Sequence, residues 1–223
     1  GKYSDYWNVA DNWERFDRLL WEGKNWSALK TLRRITGDYR NLGNARIALS
    51  NRAGNVSELI RKVPKKLINE PGLIYERMRW RRKAKLPSAA DFLINPPDSI
   101  KNYRRWWINS RIVIRREINK KNYNLAYKLL KNHKIPLNIK SGIEAEWLSG
   151  WVAINFIKNK ENALKHFQNV FYNAKTSYTK SNAAYWIGEI LRQNKKFEES
   201  KEWFKISAKT EKSFYGNYSR IML

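Results

Sequence analysis

The 223-residue chain is strongly basic: 45 Lys and Arg stand against 20 Asp and Glu, which gives a net charge of +25. It contains no cysteine, which excludes disulfides, thiol nucleophiles and thiolate metal sites. Its 11 Trp, 12 Tyr and 8 Phe are ample for a packed core, and no apolar run reaches the roughly 20 residues of a membrane span. We therefore predict a folded protein that has no membrane span. Its charge predicts attraction to polyanions, although genome-wide drift toward Lys explains much of the Lys excess equally well.

Helical periodicity runs along nearly the whole chain, and no segment has the sustained alternation that is typical of strands. The spacing of apolar residues predicts helices at residues 7–21, 25–35, 39–52, 56–62, 73–84, 88–94, 104–119, 123–133, 140–157, 161–172, 179–193 and 197–209. Pro96-Pro97 is the clearest interruption, because two prolines cannot continue a helix. We predict an all-α fold, with an irregular helical region at 1–97 and a helical-repeat region at 98–223.

A weak repeat of 37 residues runs through the second region. Ala126, Ala163 and Ser200 are each 37 residues apart and follow a polar turn. Each is followed four positions later by a bulky apolar residue: Leu130, Phe167 and Phe204. A helical pair of this size cannot bury its apolar face alone and must stack on its neighbours. The spacing therefore predicts an α-solenoid, or superhelix, of antiparallel helix pairs similar in size to tetratricopeptide repeats.

A basic and aromatic cluster follows the proline pair. On a helix Arg104, Arg111 and Arg115 share one face, because they are spaced by seven and four residues. Basic residues among aromatics can bind a nucleic-acid strand, and indole faces can equally stack on sugar rings, although most Trp of a solenoid are core residues. The candidate ligands of a glycan or anion are Arg104, Arg105, Trp106, Trp107, Arg111 and Arg115.

A second basic segment occupies residues 75–83. Glu76, Arg79 and Lys83 fall on one side of the predicted helix, so we expect ion pairs among them. This favours a charged outer face with internal pairing over an anion-binding ridge.

The sequence contains no recognisable catalytic constellation, and we expect no catalytic residue, metal or cofactor. His133 and His166 have no acidic or histidine neighbour at ligand spacing, so we expect isolated surface or groove residues. Glu144 and Glu146 point to different faces of one helix and are expected to pair with arginine instead of acting as an acid and a base.

Several segments carry a family resemblance when they are taken together and in order. They are Leu20-Trp21-Glu22-Gly23 with Trp26-Ser27-Ala28-Leu29, Ala45-Arg46-Ile47-Ala48-Leu49, Pro71-Gly72-Leu73-Ile74-Tyr75-Glu76-Arg77-Met78-Arg79-Trp80-Arg81-Arg82, Pro96-Pro97 followed by Arg105-Trp106-Trp107, Ala145-Glu146-Trp147-Leu148-Ser149-Gly150-Trp151, Ala184-Tyr185-Trp186-Ile187-Gly188 and Phe214-Tyr215-Gly216. In this order they resemble the soluble lytic murein transglycosylases, over most of the chain.

The resemblance implies an α-superhelical region that precedes a lysozyme-like catalytic domain. In this family the catalytic domain cleaves peptidoglycan between N-acetylmuramic acid and N-acetylglucosamine and leaves a 1,6-anhydro sugar. Its catalytic glutamate follows the Phe-Tyr-Gly motif, and this sequence reaches only Leu223 after Phe214-Tyr215-Gly216. We therefore expect a non-catalytic, periplasmic, peptidoglycan-engaging region whose signal peptide and partner catalytic domain are not in this chain. Composition leaves open a nucleic-acid-binding helical repeat or a pure protein–protein scaffold.

Overall fold

The computed structural model describes residues 8–211 and 213–223, and every regular element in these residues is helical. The predicted all-α fold is therefore confirmed. None of the described helices combines the length and the apolarity that crossing a bilayer requires.

The chain divides into two compact units, Gly1–Val113 and Ile114–Leu223, called here the N-unit and the C-unit. The division falls within the helix Tyr103–Asn119, whereas the sequence predicts a boundary at Pro96-Pro97. Two prolines interrupt a helix, but the chain on either side of them can still pack into one unit.

The N-unit consists of short helices, and its described residues include two apolar clusters. Its helices are α1 (Val9–Trp21), α2 (Asn25–Leu32), α3 (Gly37–Asn51), α4 (Val56–Arg61), α5 (Pro71–Lys83), α6 (Asp91–Ile94) and most of α7 (Tyr103–Asn119), with 3-10 turns at Lys65–Leu67 and Pro87–Ala89. Asn8 begins α1 with a capping box, and Pro71 occupies the first turn of α5, where its missing N–H costs nothing. One cluster is centred on Leu42 and Leu73, and the other on Phe16 and Leu32.

A buried ion pair crosses the N-unit core. The Arg46 side chain is 1% exposed, and its Nη1 lies 2.8 Å from Asp17 Oδ1. Lys101 Nζ lies 2.8 Å from the second Asp17 oxygen. Gly72 makes room for this arrangement, since a Cβ there would lie 2.1 Å from Arg46 Nη2. The buried position of the Arg46 guanidinium therefore requires glycine at residue 72.

The C-unit consists of longer helices around one apolar cluster. Its elements after α7 are α8 (Tyr123–Lys131), α9 (Lys140–Val152), a π-helix (Ala153–Ile157), α10 (Lys160–Asn173), α11 (Ser177–Gln193), α12 (Phe197–Ala208) and α13 (Phe214–Ile221). The core centres on Phe167, Ile187 and Ile190, which are fully buried. The small residues of the 37-residue spacing, Ala126 and Ala163, are also fully buried.

The twelve predicted helices all have counterparts, with differences at their ends. The predicted start at residue 7 lies outside the described residues. The segment predicted as one helix at 140–157 ends in the π-helix, and α13 was not predicted. The π-helix has only five residues, which are too few for apolar spacing to distinguish it from the α-helix that it extends.

Basic residues occupy left-handed backbone positions after several helices. Among residues 8–211 and 213–223, the non-glycine residues with positive φ are Arg52, Lys85, Lys121, Lys134, Lys158 and Lys195. The left-handed conformation costs a residue with a Cβ about 1–2 kcal/mol. A positive charge near a helix C-terminus is favourable, because the helix dipole is negative there. The two effects oppose each other at these positions.

Candidate functional site

Helix α7 places the two predicted tryptophan ligands in the core of the N-unit. Trp106 is 1% exposed and Trp107 is 2% exposed. The Trp106 ring lies against Tyr75, with 6.3 Å between the ring centroids. Asn109 Nδ2 donates a hydrogen bond to the hydroxyl of the same tyrosine at 3.1 Å. In this arrangement neither indole face is available to stack on a sugar.

Arg105, a third predicted ligand, ties α7 to the end of α1. Its Nη1 donates a hydrogen bond to the Trp21 carbonyl at 2.9 Å. The guanidinium lies over Gly23, where φ is +80° and a Cβ would approach Nη1 to 2.4 Å. Arg105 therefore has a structural role.

The other predicted arginines lie nearer the surface. Arg104 and Arg115 are exposed, and Arg111 is half-buried. All three lie on α7. Because Trp106 and Trp107 are buried while Arg104 and Arg115 are exposed, the six predicted ligands do not share one surface.

Helix α5 has an ion pair that the sequence predicted. Arg79 Nη1 lies 3.0 Å from Glu76 Oε2, as the i,i+3 spacing predicts. Burial raises the pKa of Glu76, although the positive charges of Arg79 and Arg46 oppose this effect. The Glu76 side chain is 3% exposed, so this pair is an internal contact and not part of an outer face.

Two other arginines of α5 lie together on one aromatic ring, and we call them the arginine pair. The guanidinium carbons of Arg77 and Arg81 lie 5.0 and 5.5 Å from the centroid of Phe92. Arg81 Nη1 donates to Ser88 Oγ at 2.6 Å. Arg77 Nε is buried and has no hydrogen-bond partner among the described residues. Burial and the charge of Arg81 lower the pKa of Arg77, so an anion placed here would relieve a repulsion.

A cavity of about 360 Å³ opens in the C-unit beside the π-helix. The residues around it combine aromatic rings, amides and charges: Ile154, Asn155, Lys158, Lys160, Tyr185, Trp186, Glu189 and Gln193. They come from the π-helix and the residue after it, from the first turn of α10 and from one face of α11. π-Helices are rare and occur frequently at functional sites. This cavity is therefore a candidate for a discrete binding site.

The charged groups of the cavity are held by neighbours. Burial raises the pKa of Glu189, but hydrogen bonds from Arg192 and Gln193 outweigh it and lower the pKa, so this carboxylate is ionised. Arg192 contacts both Glu189 oxygens at 2.8 Å. Burial and the negative charge of Glu189 raise the pKa of Tyr185 to about 12, so its hydroxyl keeps its proton.

The two histidines are not isolated, and the expectation from the sequence is wrong. His133 Nε2 lies 3.1 Å from Glu146 Oε1, and His166 Nδ1 lies 2.7 Å from Glu146 Oε2. Asn169 Nδ2 donates to the same oxygen at 3.1 Å. Burial raises the pKa of Glu146, but these hydrogen bonds and the charge of His166 outweigh it and lower the pKa to about 2. Glu146 therefore pairs with histidine and not with arginine.

The backbone determines which ring nitrogen of His133 carries the proton. The Ile135 N–H donates to Nδ1 at 2.8 Å, so Nε2 carries the hydrogen that bonds to Glu146. On the other side, His166 Nε2 lies 3.1 Å from the Tyr127 hydroxyl. The described residues include no group of three or more His, Cys, Asp or Glu with the geometry to hold a metal ion. The arrangement is a hydrogen-bonded network that joins α8, α9 and α10.

Comparisons with protein-family models, with curated proteins and with solved structures find no match to this chain.

Proposed function

We propose that this chain is the non-catalytic, peptidoglycan-engaging region of a periplasmic lytic transglycosylase of the soluble murein type. The ordered segments of the sequence support the family, and an all-α fold is what such a region requires. The observation that carries the binding function is the arginine pair, in a protein whose net charge is +25.

Peptidoglycan suits this arrangement because its peptide stems carry carboxylates, as do those muramic acids from which the stem has been removed. A guanidinium binds a carboxylate through two parallel hydrogen bonds, which makes arginine a stronger ligand than lysine here. Phe92 holds the two guanidiniums side by side, so the two arginine side chains lose less conformational entropy when an anion binds. The excess of positive charge adds a long-range attraction that salt weakens.

The test is co-sedimentation of the protein with insoluble peptidoglycan at low and at high salt. We expect binding at low salt that weakens as salt rises. The double substitution Arg77→Gln/Arg81→Gln should lower the affinity about tenfold, which corresponds to about 1.4 kcal/mol. The matched control is Arg33→Gln/Arg34→Gln, which removes the same charge from two exposed arginines of the N-unit and should have a much smaller effect.

Absence of binding at every salt concentration would overturn the proposal. So would tighter, steeply salt-dependent binding to RNA or DNA, which is the behaviour of a nucleic-acid-binding protein. Membership of the family is tested separately, by reading the coding sequence after residue 223. There we expect a lysozyme-like domain with a Glu-Ser pair.

A further inference from the structure

We propose that the C-unit cavity binds a single sugar ring that carries a carboxylate. This inference rests on the proposed function and names the part of the polymer that one discrete site would recognise. That part is a muramic acid without a peptide stem, because in a stem-bearing residue the lactyl carboxyl is bonded as an amide. The volume of about 360 Å³ lies near the lower end of the range for small-molecule sites, about 300–1,000 Å³. It suits one substituted ring better than an oligosaccharide.

The aromatic wall of the cavity is held in place from behind. Tyr185 stacks on Tyr215 with 4.8 Å between ring centroids, and Trp186 stacks on Phe167 with 5.6 Å. Because these neighbours fix both rings, binding orders few side chains. Sugars present C–H faces that pack well on such rings, and they present hydroxyls at their edges.

The polar wall is rich in hydrogen-bond acceptors. Asn155 Nδ2 donates one of its two hydrogens to the Trp151 carbonyl at 2.9 Å, and the side-chain oxygen can accept a hydrogen bond from a ligand. The ionised carboxylate of Glu189 has further lone pairs beyond those that Arg192 and Gln193 use. Acceptors of this kind need a ligand that donates, and sugar hydroxyls do so. The oxygens of a phosphate dianion do not, and Glu189 would repel its two negative charges more strongly than the single charge of a carboxylate.

The positive charges select an acidic sugar over a neutral one. Lys158 and Lys160 line the cavity, and the charge of Glu189 is balanced by Arg192. Lys160 Nζ lies 3.3 Å from the Gln193 carbonyl, which places its ammonium group beside α11. The charge of Lys160 also acts on Glu189. Together with Arg192, the two lysines still leave the site with a net positive charge, which would attract a carboxylate on the sugar.

The experiment compares two sugars that differ in one group. N-acetylmuramic acid carries a carboxylate, and N-acetylglucosamine has the same ring without it. Titration calorimetry with saturation-transfer NMR should detect N-acetylmuramic acid with a Kd on the order of 1 mM and at least about tenfold weaker binding of N-acetylglucosamine.

Single substitutions distinguish binding in the cavity from a general attraction of anions to the basic protein. Lys160→Gln should weaken binding of N-acetylmuramic acid about tenfold and leave N-acetylglucosamine unchanged. Lys165→Gln is the matched control on the same helix, because Lys165 pairs with exposed Glu161. Thermal unfolding of each variant checks that it is folded.

Equal binding of the two sugars, or an unchanged affinity in Lys160→Gln, would overturn the inference. Tighter binding of uridine monophosphate than of N-acetylmuramic acid would also overturn it and assign the cavity to a phosphate ligand. If peptidoglycan sediments the protein while the sugar does not bind, only this inference fails. If the sugar binds while peptidoglycan does not sediment the protein, the proposed function fails.

Discussion

Replacing Glu146 by glutamine tests the histidine–glutamate network directly. The carboxylate accepts hydrogen bonds from His133, His166 and Asn169. A glutamine offers one oxygen and one NH₂ group, so one imidazole N–H loses its acceptor. The pKa of Glu146 falls from its ordinary 4.5 to about 2. At about 1.4 kcal/mol per pH unit, this difference corresponds to about 3 kcal/mol of folding free energy at neutral pH.

The sign of the pH dependence follows from the direction of the shift. A carboxylate with a lowered pKa stabilises the fold fully above its unfolded-state pKa and loses that contribution as the pH falls toward the folded-state value. We therefore expect the difference in unfolding free energy between the native protein and Glu146→Gln to be largest near pH 7. It should shrink steadily between about pH 5 and pH 2.

The assay is urea unfolding followed by circular dichroism at a series of pH values. Glu161→Gln serves as the control, since Glu161 is exposed and pairs only across one helical turn with Lys165. A Glu146→Gln protein as stable as the native one at pH 7, or a difference that does not change with pH, would refute the reasoning.

Three further predictions concern other parts of the chain. Gly72→Ala should destabilise the protein by about 2 kcal/mol in urea unfolding, because the new Cβ displaces buried Arg46; an unchanged midpoint would contradict this. Lys195→Gly should stabilise the protein by up to about 1 kcal/mol, because glycine adopts the left-handed backbone at φ +63° without strain. The gain should be clearest at high salt, which screens the favourable interaction of Lys195 with the helix dipole. A loss of stability at high salt would count against this prediction. Stability should fall between pH 10 and about pH 12 as Tyr185 ionises, and Tyr185→Phe should weaken this dependence in guanidinium unfolding; identical pH profiles would exclude it.

The sequence predicts local structure well, because a helix depends on residues three and four positions apart. The helices at 123–133 and 197–209 and the Glu76–Arg79 pair are of this kind. Which side chains cover a buried residue is not a local property. Trp106 and Trp107 both lie in the core, and the ring against Trp106 is that of Tyr75, which is distant in the sequence.

The candidate sites depend on contacts that are distant in the sequence. His133, Glu146 and His166 come from three separate segments, and only the packing of α8, α9 and α10 brings them together. The cavity likewise needs the first turn of α10 to lie beside α11. Sequence spacing within one helix carries no information about either arrangement.

The π-helix gives the cavity an unusual genetic property. Its backbone bonds span five residues instead of four, so the wall at Ala153–Ile157 depends on the length of the chain and not only on its side chains. Loss of a single codon within this stretch would restore ordinary helical bonding and turn Ile154 and Asn155 relative to α11. Insertions and deletions, more than substitutions, would then create or erase this site among descendants of the gene.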